Sequence, residues 1–238
     1  MSLRAKVLHL VRPSVTLHGH VRSALELLWD FVRCHRAAKT RSPAETRCTA
    51  IHEAGHAVVL IALGLAFSAV SIIPDLRGGT LGQVYLGRHD RAADLRWLPR
   101  EAVYLRYSMV YYAGAESVRQ LIPTHPHPDA GASTDRRQAA ELIRYSARGD
   151  TESLYLLFSL AQRRCALLVD HYRPEILALA GALEAELILS AEAARRVFVS
   201  SLAKRGGRLL SFASDPTLNG LAGDEAFSAF VRRLNLSR

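Results

Sequence analysis

Hydrophobic positions recur every three or four residues over most of the chain, which predicts a mainly helical protein. The first such stretch covers residues 21–33, where charged residues occupy the opposite side of the helix. We interpret residues 1–42 as an N-terminal amphipathic arm. Its helix either docks on the main domain or lies peripherally on a membrane surface. Glu26 and Asp30 favour docking, because they dilute the positive face.

A second helix is predicted to begin at a capping box. Ser42 is followed by Pro43 and, three positions after the serine, by Glu45. This order suits an N-cap serine, a proline in the first turn and a glutamate that reaches back to the N-cap backbone. The helix should extend to about Gly64, because glycine commonly ends helices.

A short β-hairpin should follow this helix. It comprises a strand at residues 69–73, a turn at 75–79 and a second strand at 80–86. Pro74 stops the first strand because proline has no N–H group for the ladder.

Helical patterns dominate the remainder. The expected segments are a helix from Pro99, a Pro- and His-rich loop at 122–131, a helix capped by Ser133 or Thr134, helices at 151–183 and 190–202, and a short helix near Asp224. The fold class should therefore be α+β, mainly α with a small sheet of two or three strands. Residues 43–202 form the central domain, and residues 203–238 form a C-terminal extension.

Composition narrows the classes of function. The chain has 238 residues, 49% apolar and 22% charged, which is typical of a folded protein with one substantial core. Its formal charge is +9, but the arginines are scattered and no aromatic residues are interleaved with them. A nucleic-acid partner is therefore not expected.

The cysteines and the apolar runs indicate the cellular compartment of the protein. None of the three cysteines belongs to a Cys-x-x-Cys pair, which fits a reducing cytoplasm. Polar residues interrupt the N-terminal stretch before it could serve as a signal peptide. The apolar run 57–73 contains Gly64 and Ser68, so we interpret it as a buried helix end followed by a buried strand. These observations predict a cytoplasmic protein.

The main chemical signal is the HExxH motif His52-Glu53-Ala54-Gly55-His56. Residues four apart lie one above the other on a helix, so both histidines can bind one Zn²⁺ at ~2.0–2.1 Å. Glu53 suits a general base that takes a proton from zinc-activated water. Gly55 suits close packing against another backbone.

A catalytic zinc also needs a third protein ligand and an open fourth position. Spacing alone leaves several downstream candidates: Asp129, Asp135, His125, His127 and Glu116. Cys48, one turn before His52, is interpreted as a packing residue, because a third ligand from the same straight helix would not complete a tetrahedron.

Several segments in the same order resemble the peptidase half of the FtsH-type membrane proteases. The resemblance covers residues 44–199 and rests on the HExxH segment 51–58, Val70-Ser71-Ile72-Ile73-Pro74, Arg77-Gly78-Gly79-Thr80-Leu81-Gly82, Ala113-Gly114 and Gly131-Ala132-Ser133-Thr134-Asp135. It implies that Asp135 is the third zinc ligand and Glu53 the general base. It also implies a turn at Ala113-Gly114 and an edge strand at 80–86 that binds unfolded peptide by β-augmentation, through Thr80, Leu81, Gly82, Gln83 and Val84.

The chain departs from that family in three respects. No Gly-x-x-x-x-Gly-Lys-[Ser/Thr] occurs, so ATP-driven unfolding would need a separate ATPase partner. No counterpart of the family's paired transmembrane helices is evident. Glu116-Ser117-Val118-Arg119 also follows the Ala113-Gly114 segment where the family carries an Ala-Ala-Glu-Glu run.

The sequence thus predicts a zincin-like HExxH helix within an FtsH-like zinc peptidase domain at residues 43–202. The predicted activity is that of a zinc-dependent metalloendopeptidase that cleaves unfolded or flexible proteins. The family resemblance also implies that the chain forms homo-oligomers. One alternative is a zinc-bound but inactive peptide-binding module. Others are a peptidase subunit that depends on a separate ATPase, and an intramembrane peptidase, which the charged start of the motif helix disfavours.

Overall fold

The computed structural model describes residues 32–38, 40–75, 79–86, 100–129 and 131–207. Within these ranges the chain is mainly helical and forms a three-stranded antiparallel sheet, which confirms the predicted fold class. In chain order the elements are α1 Pro43–Ala62, β1 Ala69–Ser71, β2 Gln83–Tyr85, α2 Arg100–Leu121, α3 Ser133–Ala147, α4 Thr151–His171, α5 Arg173–Glu186, β3 Ile188–Ser190 and α6 Ala191–Lys204. Residues 32–38 are also helical. Most of the predicted arm helix and the helix near Asp224 lie outside the described residues.

The start and end of α1 are set by local chemistry. The Glu45 N–H donates to Ser42 Oγ at 3.2 Å, and the Ser42 N–H donates to Glu45 Oε2 at 2.9 Å. This confirms the predicted capping box. The helix ends at Ala62, and Gly64 takes a left-handed φ of 68°, a conformation that glycine adopts without strain.

Helix α1 is the central element of the core. From Thr49 to Ala62 it is buried on nearly every side, and it packs against α2 and α5. Gly55 allows the close approach to α2, since a Cβ atom at this position would lie 2.2 Å from Ser117 Oγ and 2.7 Å from the Ala113 carbonyl oxygen. The interpretation of Gly55 as a site of close backbone packing is therefore confirmed.

The sheet is small, with strand order β2-β1-β3. Val70 in β1 pairs with Val84 on one side and with Leu189 on the other, both antiparallel. The predicted hairpin and the edge position of β2 are confirmed. Both strands are shorter than predicted: they span Ala69–Ser71 and Gln83–Tyr85, and Thr80 forms only an isolated bridge to Asp75.

The apolar run 57–73 behaves as the sequence indicated. Its first part, Ala57 to Leu60, is fully buried in α1, and Val70 is fully buried in β1. Among the helices that the structure describes, none combines the length and the apolar character needed to cross a membrane.

Three further predictions of local structure are wrong. The helix predicted at 151–183 is two helices, because Pro174 has no N–H for the helical ladder and the chain turns at Tyr172. Neither Ser133 nor Thr134 caps α3, since both lie inside its first turn, after Ala132. The segment Ala113-Gly114 lies within α2 rather than in a turn.

A buried ion pair joins α5 to the residue that follows α6. Glu175 has no exposed surface, and its carboxylate accepts hydrogen bonds from Arg205 Nε at 2.8 Å and from the Arg205 NH2 group at 3.3 Å. The Ser201 hydroxyl lies at 3.5 Å from the same carboxylate. This contact holds the last described helix against the core.

Candidate metal centre and cleft

Three donor atoms from two helices meet at one point. His52 and His56 lie on the same face of α1, and Asp135 lies in the first turn of α3. The two Nε2 atoms are 3.1 Å apart, and Asp135 Oδ2 lies 3.2 Å from that of His52 and 3.3 Å from that of His56. In a tetrahedral zinc site with bonds of ~2.0–2.1 Å, donor atoms are about 3.3–3.4 Å apart. The three residues therefore form a group that could hold a metal ion.

A backbone contact fixes the tautomer that His56 adopts when its ring is neutral. Its Nδ1 lies 2.6 Å from the Val110 carbonyl oxygen in α2, and a carbonyl can only accept a hydrogen bond. Nδ1 therefore carries the hydrogen, and Nε2 of the neutral ring keeps a lone pair directed at the other two donors. Histidines that bind metals commonly have such a partner on the second nitrogen, which orients the ring.

Gly114 provides the space that the two imidazoles occupy. A Cβ atom at this position would lie 2.4 Å from His52 Nε2 and 2.5 Å from His56 Nε2. Such contacts are far below van der Waals distance, so any side chain on Gly114 would displace the donor atoms. The backbone of α2 therefore forms one wall of the donor group.

The charges around the donors favour a bound cation. Burial alone would lower the pKa of His56, but the carboxylates of Asp135 and Glu53, together with the Val110 carbonyl, raise it to about 9. Burial would raise the pKa of Asp135, but the two histidines hold it well below its ordinary value. Two acidic groups thus surround the histidine nitrogens, and a proton or a metal ion there is electrostatically stabilised.

Glu53 lies beside this group and is only 6% exposed. Burial raises the pKa of its carboxyl group above the ordinary value, against the opposing effect of the histidines. Gly82, in the segment before β2, covers Glu53: a Cβ atom there would lie 2.7 Å from Glu53 Cγ and 2.8 Å from its Oε1. Only glycine allows the chain to pass this close to the carboxylate.

The donor group opens into a cleft of about 530 Å³. One wall is the segment Gly79 to Leu86, which includes the predicted peptide-binding residues Thr80, Leu81, Gly82, Gln83 and Val84. The cleft is also lined by Pro128, Gly131, the first turns of α3, and His52, Glu53 and His56 of α1. A larger cavity of about 710 Å³ lies between α2, α3 and α4, and none of the three donors lines it.

No protein-family model matches the chain, and neither does any curated protein. The resemblance to FtsH-type peptidases therefore stays a prediction that rests on short motifs. The convergence of Asp135 with His52 and His56 is an observation independent of that resemblance.

The other candidate ligands lie away from the donor group. Asp129 pairs with Arg119 and Arg136, and Glu116 pairs with Arg119 and Gln120. His125 Nε2 lies 3.6 Å from Cys48 Sγ, and His125 Nδ1 accepts a hydrogen bond from the His127 N–H at 3.2 Å. Cys48 is partly buried against the core, as its interpretation as a packing residue requires.

Sequence reasoning missed the roles of Gly114 and Gly82 at the site. Gly114 entered the prediction only as part of a turn, and Gly82 only as a peptide-binding residue. The sequence did mark Gly114 as unusual, since a glycine within a helix lowers helix stability by ~1 kcal/mol relative to alanine. Such a glycine commonly allows close packing against a neighbouring segment. Nothing local pairs Gly82 with Glu53, because the contact forms only when the hairpin folds onto α1.

Proposed function

We propose that this protein is a zinc-dependent metalloendopeptidase that cleaves unfolded or flexible proteins. The observation that carries the proposal is the meeting of His52, His56 and Asp135 beside buried Glu53, where all four residues line an open cleft. Three protein donors and room for a further ligand are typical of catalytic rather than structural zinc sites.

Zinc is the proposed ion because of the donor types and their spacing. Two imidazole nitrogens and one carboxylate oxygen suit zinc, whereas Mg²⁺ and Ca²⁺ take mostly oxygen ligands. The donor separations of 3.1 to 3.3 Å also suit a tetrahedral ion of this size. When bound, zinc would acidify a water molecule and polarise the carbonyl group of the scissile peptide bond.

Glu53 would act as the general base and then as the general acid. Its carboxylate accepts the proton of the attacking water and passes it to the nitrogen of the leaving amine. Its place beside the donor group suits this double role, and burial raises the pKa of its carboxyl group above the ordinary value, which favours acceptance of a proton. Gly82 shields the carboxylate from bulk water.

The substrate would bind in extended form along the segment 80–84. Main-chain hydrogen bonds to a strand edge need an extended peptide but tolerate many side chains. Folded proteins do not present such a segment, so unfolded or flexible chains are the expected substrates. Leu81, which is 58% exposed on this wall, offers an apolar contact to the incoming chain.

The partners and the location follow as parts of the same proposal. The partner proposed for the unfolding of stable substrates is an ATPase, since residues 1–238 themselves contain no phosphate-binding loop. Cys34, Cys48 and Cys165 are all free thiols, which suits the reducing cytoplasm.

The test is cleavage of a permanently unfolded protein, such as a reduced and carboxymethylated one, by the zinc-loaded protein. Glu53→Gln should keep one zinc per chain and lose activity by a factor of about 10² to 10⁴, the contribution typical of a general base. His52→Ala should lose both zinc and activity. Peptide binding without cleavage by wild type would indicate an inactive binding module, and cleavage only with an added ATPase would indicate a dependent subunit.

A further inference from the structure

Arg41, immediately before the N-cap of α1, holds both sides of the hairpin at once. Its NH1 group donates to the Ile72 carbonyl oxygen at 2.9 Å, and its NH2 group donates to the Leu81 carbonyl oxygen at 2.7 Å. Ile72 follows β1, and Leu81 lies shortly before β2. One side chain therefore connects the start of the motif helix to the two chain segments that flank the hairpin turn.

The segment that Arg41 holds is the one that covers Glu53. Leu81 directly precedes Gly82, whose backbone passes so close that a Cβ atom would lie 2.8 Å from Glu53 Oε1 and 2.8 Å from the Ser71 carbonyl oxygen. Regular pairing with β1 begins only at Gln83. Before that residue, the described contacts that fix the segment are the Asp75–Thr80 bridge and the hydrogen bond from Arg41.

The geometry requires arginine in particular. Two separate nitrogens of a planar guanidinium reach two separate carbonyl groups, which a single ammonium group cannot do with the same geometry. The side chain is partly buried, and burial lowers the pKa of Arg41 without removing its charge. Both hydrogen bonds therefore have a charged donor and are stronger than neutral ones.

We propose that Arg41 is a positioning residue for peptide binding, which sets the cleft wall at residues 80–82 at the distance from Glu53 that an extended substrate requires. This inference rests on the proposed function and deepens it. Arg41 contacts none of the three donor atoms, and its influence on the Glu53 carboxyl group is weaker than that of burial, the two histidines and Asp135. Its loss should therefore weaken substrate binding more than it slows the chemical step.

The test compares Arg41→Gln and Arg41→Lys with wild type in the zinc-loaded full chain, using a fluorogenic peptide. Arg41→Gln removes both charge-assisted hydrogen bonds, so we expect KM to rise about tenfold or more, while kcat changes less than about threefold. Arg41→Lys should recover part of the loss, because it keeps the charge and one contact. Zinc content should stay at the wild-type value in both variants.

Arg47→Gln is the matched control. Arg47 lies near the start of α1, close in sequence to Arg41, but pairs with Glu184, away from the cleft. Its substitution should leave KM unchanged. An unchanged KM in Arg41→Gln, or a parallel loss of zinc and kcat in both Arg41 variants, would show that Arg41 supports the fold only and would overturn the inference.

A second measurement separates this inference from the proposed function. Binding of a fluorescent unfolded peptide is measured with zinc-loaded Glu53→Gln, with and without Arg41→Gln. Weaker binding in the double variant supports the inference even if wild type cleaves nothing, in which case only the peptidase proposal fails. Equal binding in the two proteins, or no binding by either, would overturn it.

Discussion

The backbone of Gly114 lies against the imidazole of His52 so closely that a single added carbon would come within 2.4 Å of its Nε2 atom. The two residues belong to α2 and α1, whose approach is also set by Gly55. The donor nitrogens thus occupy space that any other residue at position 114 would fill. The site therefore depends on the absence of a side chain at position 114 as well as on the side chains of the three donor residues.

The variant Gly114→Ala should therefore lose zinc while keeping its fold. The imidazole rings can swing away from the new methyl group, so the metal-free protein should melt within a few degrees of wild type. Zinc affinity should fall by about 100-fold or more, since even outer contacts of ligands are worth 10- to 100-fold. Zinc titration with a competing chelator measures this.

Gly181→Ala is the control for that variant. Gly181 is also inside a helix, α5, but a Cβ atom there meets nothing within 4 Å. This substitution should keep zinc binding and stabilise the protein by roughly 0.5–1 kcal/mol through helix propensity. Equal zinc affinity in the two alanine variants would contradict the role assigned to Gly114.

The identity of the third donor can be tested among the carboxylates near the cleft. Asp135→Asn should weaken zinc binding by more than about 100-fold, because it removes a donor rather than an outer contact. Asp129→Asn should change it less than about fivefold, since Asp129 forms partly exposed ion pairs worth ~0–1 kcal/mol. Zinc affinity of both variants, determined side by side, is the measurement. The reverse order would assign the ion to Asp129.

The sequence predicted those parts of the site that depend on local patterns. The capping box at Ser42, the pairing of His52 with His56 and the place of Asp135 in a first helical turn follow from spacing within one element. The choice of Asp135 over Asp129 came from the family resemblance, because spacing alone does not say which carboxylate folds back onto α1. In the structure it is Asp135 that lies beside the two histidines.

The features that were missed depend on contacts between distant segments. Strand β3 has only three residues between two helices, and it exists because Leu189 pairs with Val70. The contact of Gly82 with Glu53 likewise appears only in the folded hairpin. The break at Tyr172 was different, since Pro174 marked it in the sequence and the continuous hydrophobic pattern outweighed that signal.

Removal of the ion should lower thermal stability. A ligand that binds only the folded state at 1,000 times its Kd adds about 4 kcal/mol to the free energy of unfolding. For a domain of this size that corresponds to a fall in Tm of roughly 8 to 16 °C when a chelator is added. Calorimetry with and without chelator measures the shift, and added zinc should restore it. Asp135→Asn should show little shift, and an equal shift in that variant would place the ion elsewhere.

Among the charged contacts that the structure describes outside the site, the ion pair of Glu175 with Arg205 should contribute most to the free energy of unfolding. Arg205→Ala leaves a fully buried carboxylate without its charged partner, so the free energy of unfolding should fall by about 3–5 kcal/mol. Urea denaturation measures the change. Adding Glu175→Gln to Arg205→Ala should recover part of the loss, because the unpaired charge is gone.

Arg196→Ala is the matched control for this prediction. Arg196 pairs with Glu192 on the exposed face of α6, and such pairs contribute about 0.3–0.5 kcal/mol. A loss in Arg205→Ala no larger than in Arg196→Ala would mean that the Glu175 carboxylate finds another partner.

The strand order β2-β1-β3 also has a consequence for the timing of synthesis. The motif helix is made early, but Asp135 must leave the ribosome before the three donors can meet. The strand that pairs with β1 on the side away from β2 follows later still, at Ile188–Ser190. A nascent chain therefore carries both histidines of the HExxH segment well before the third donor of the group has been made.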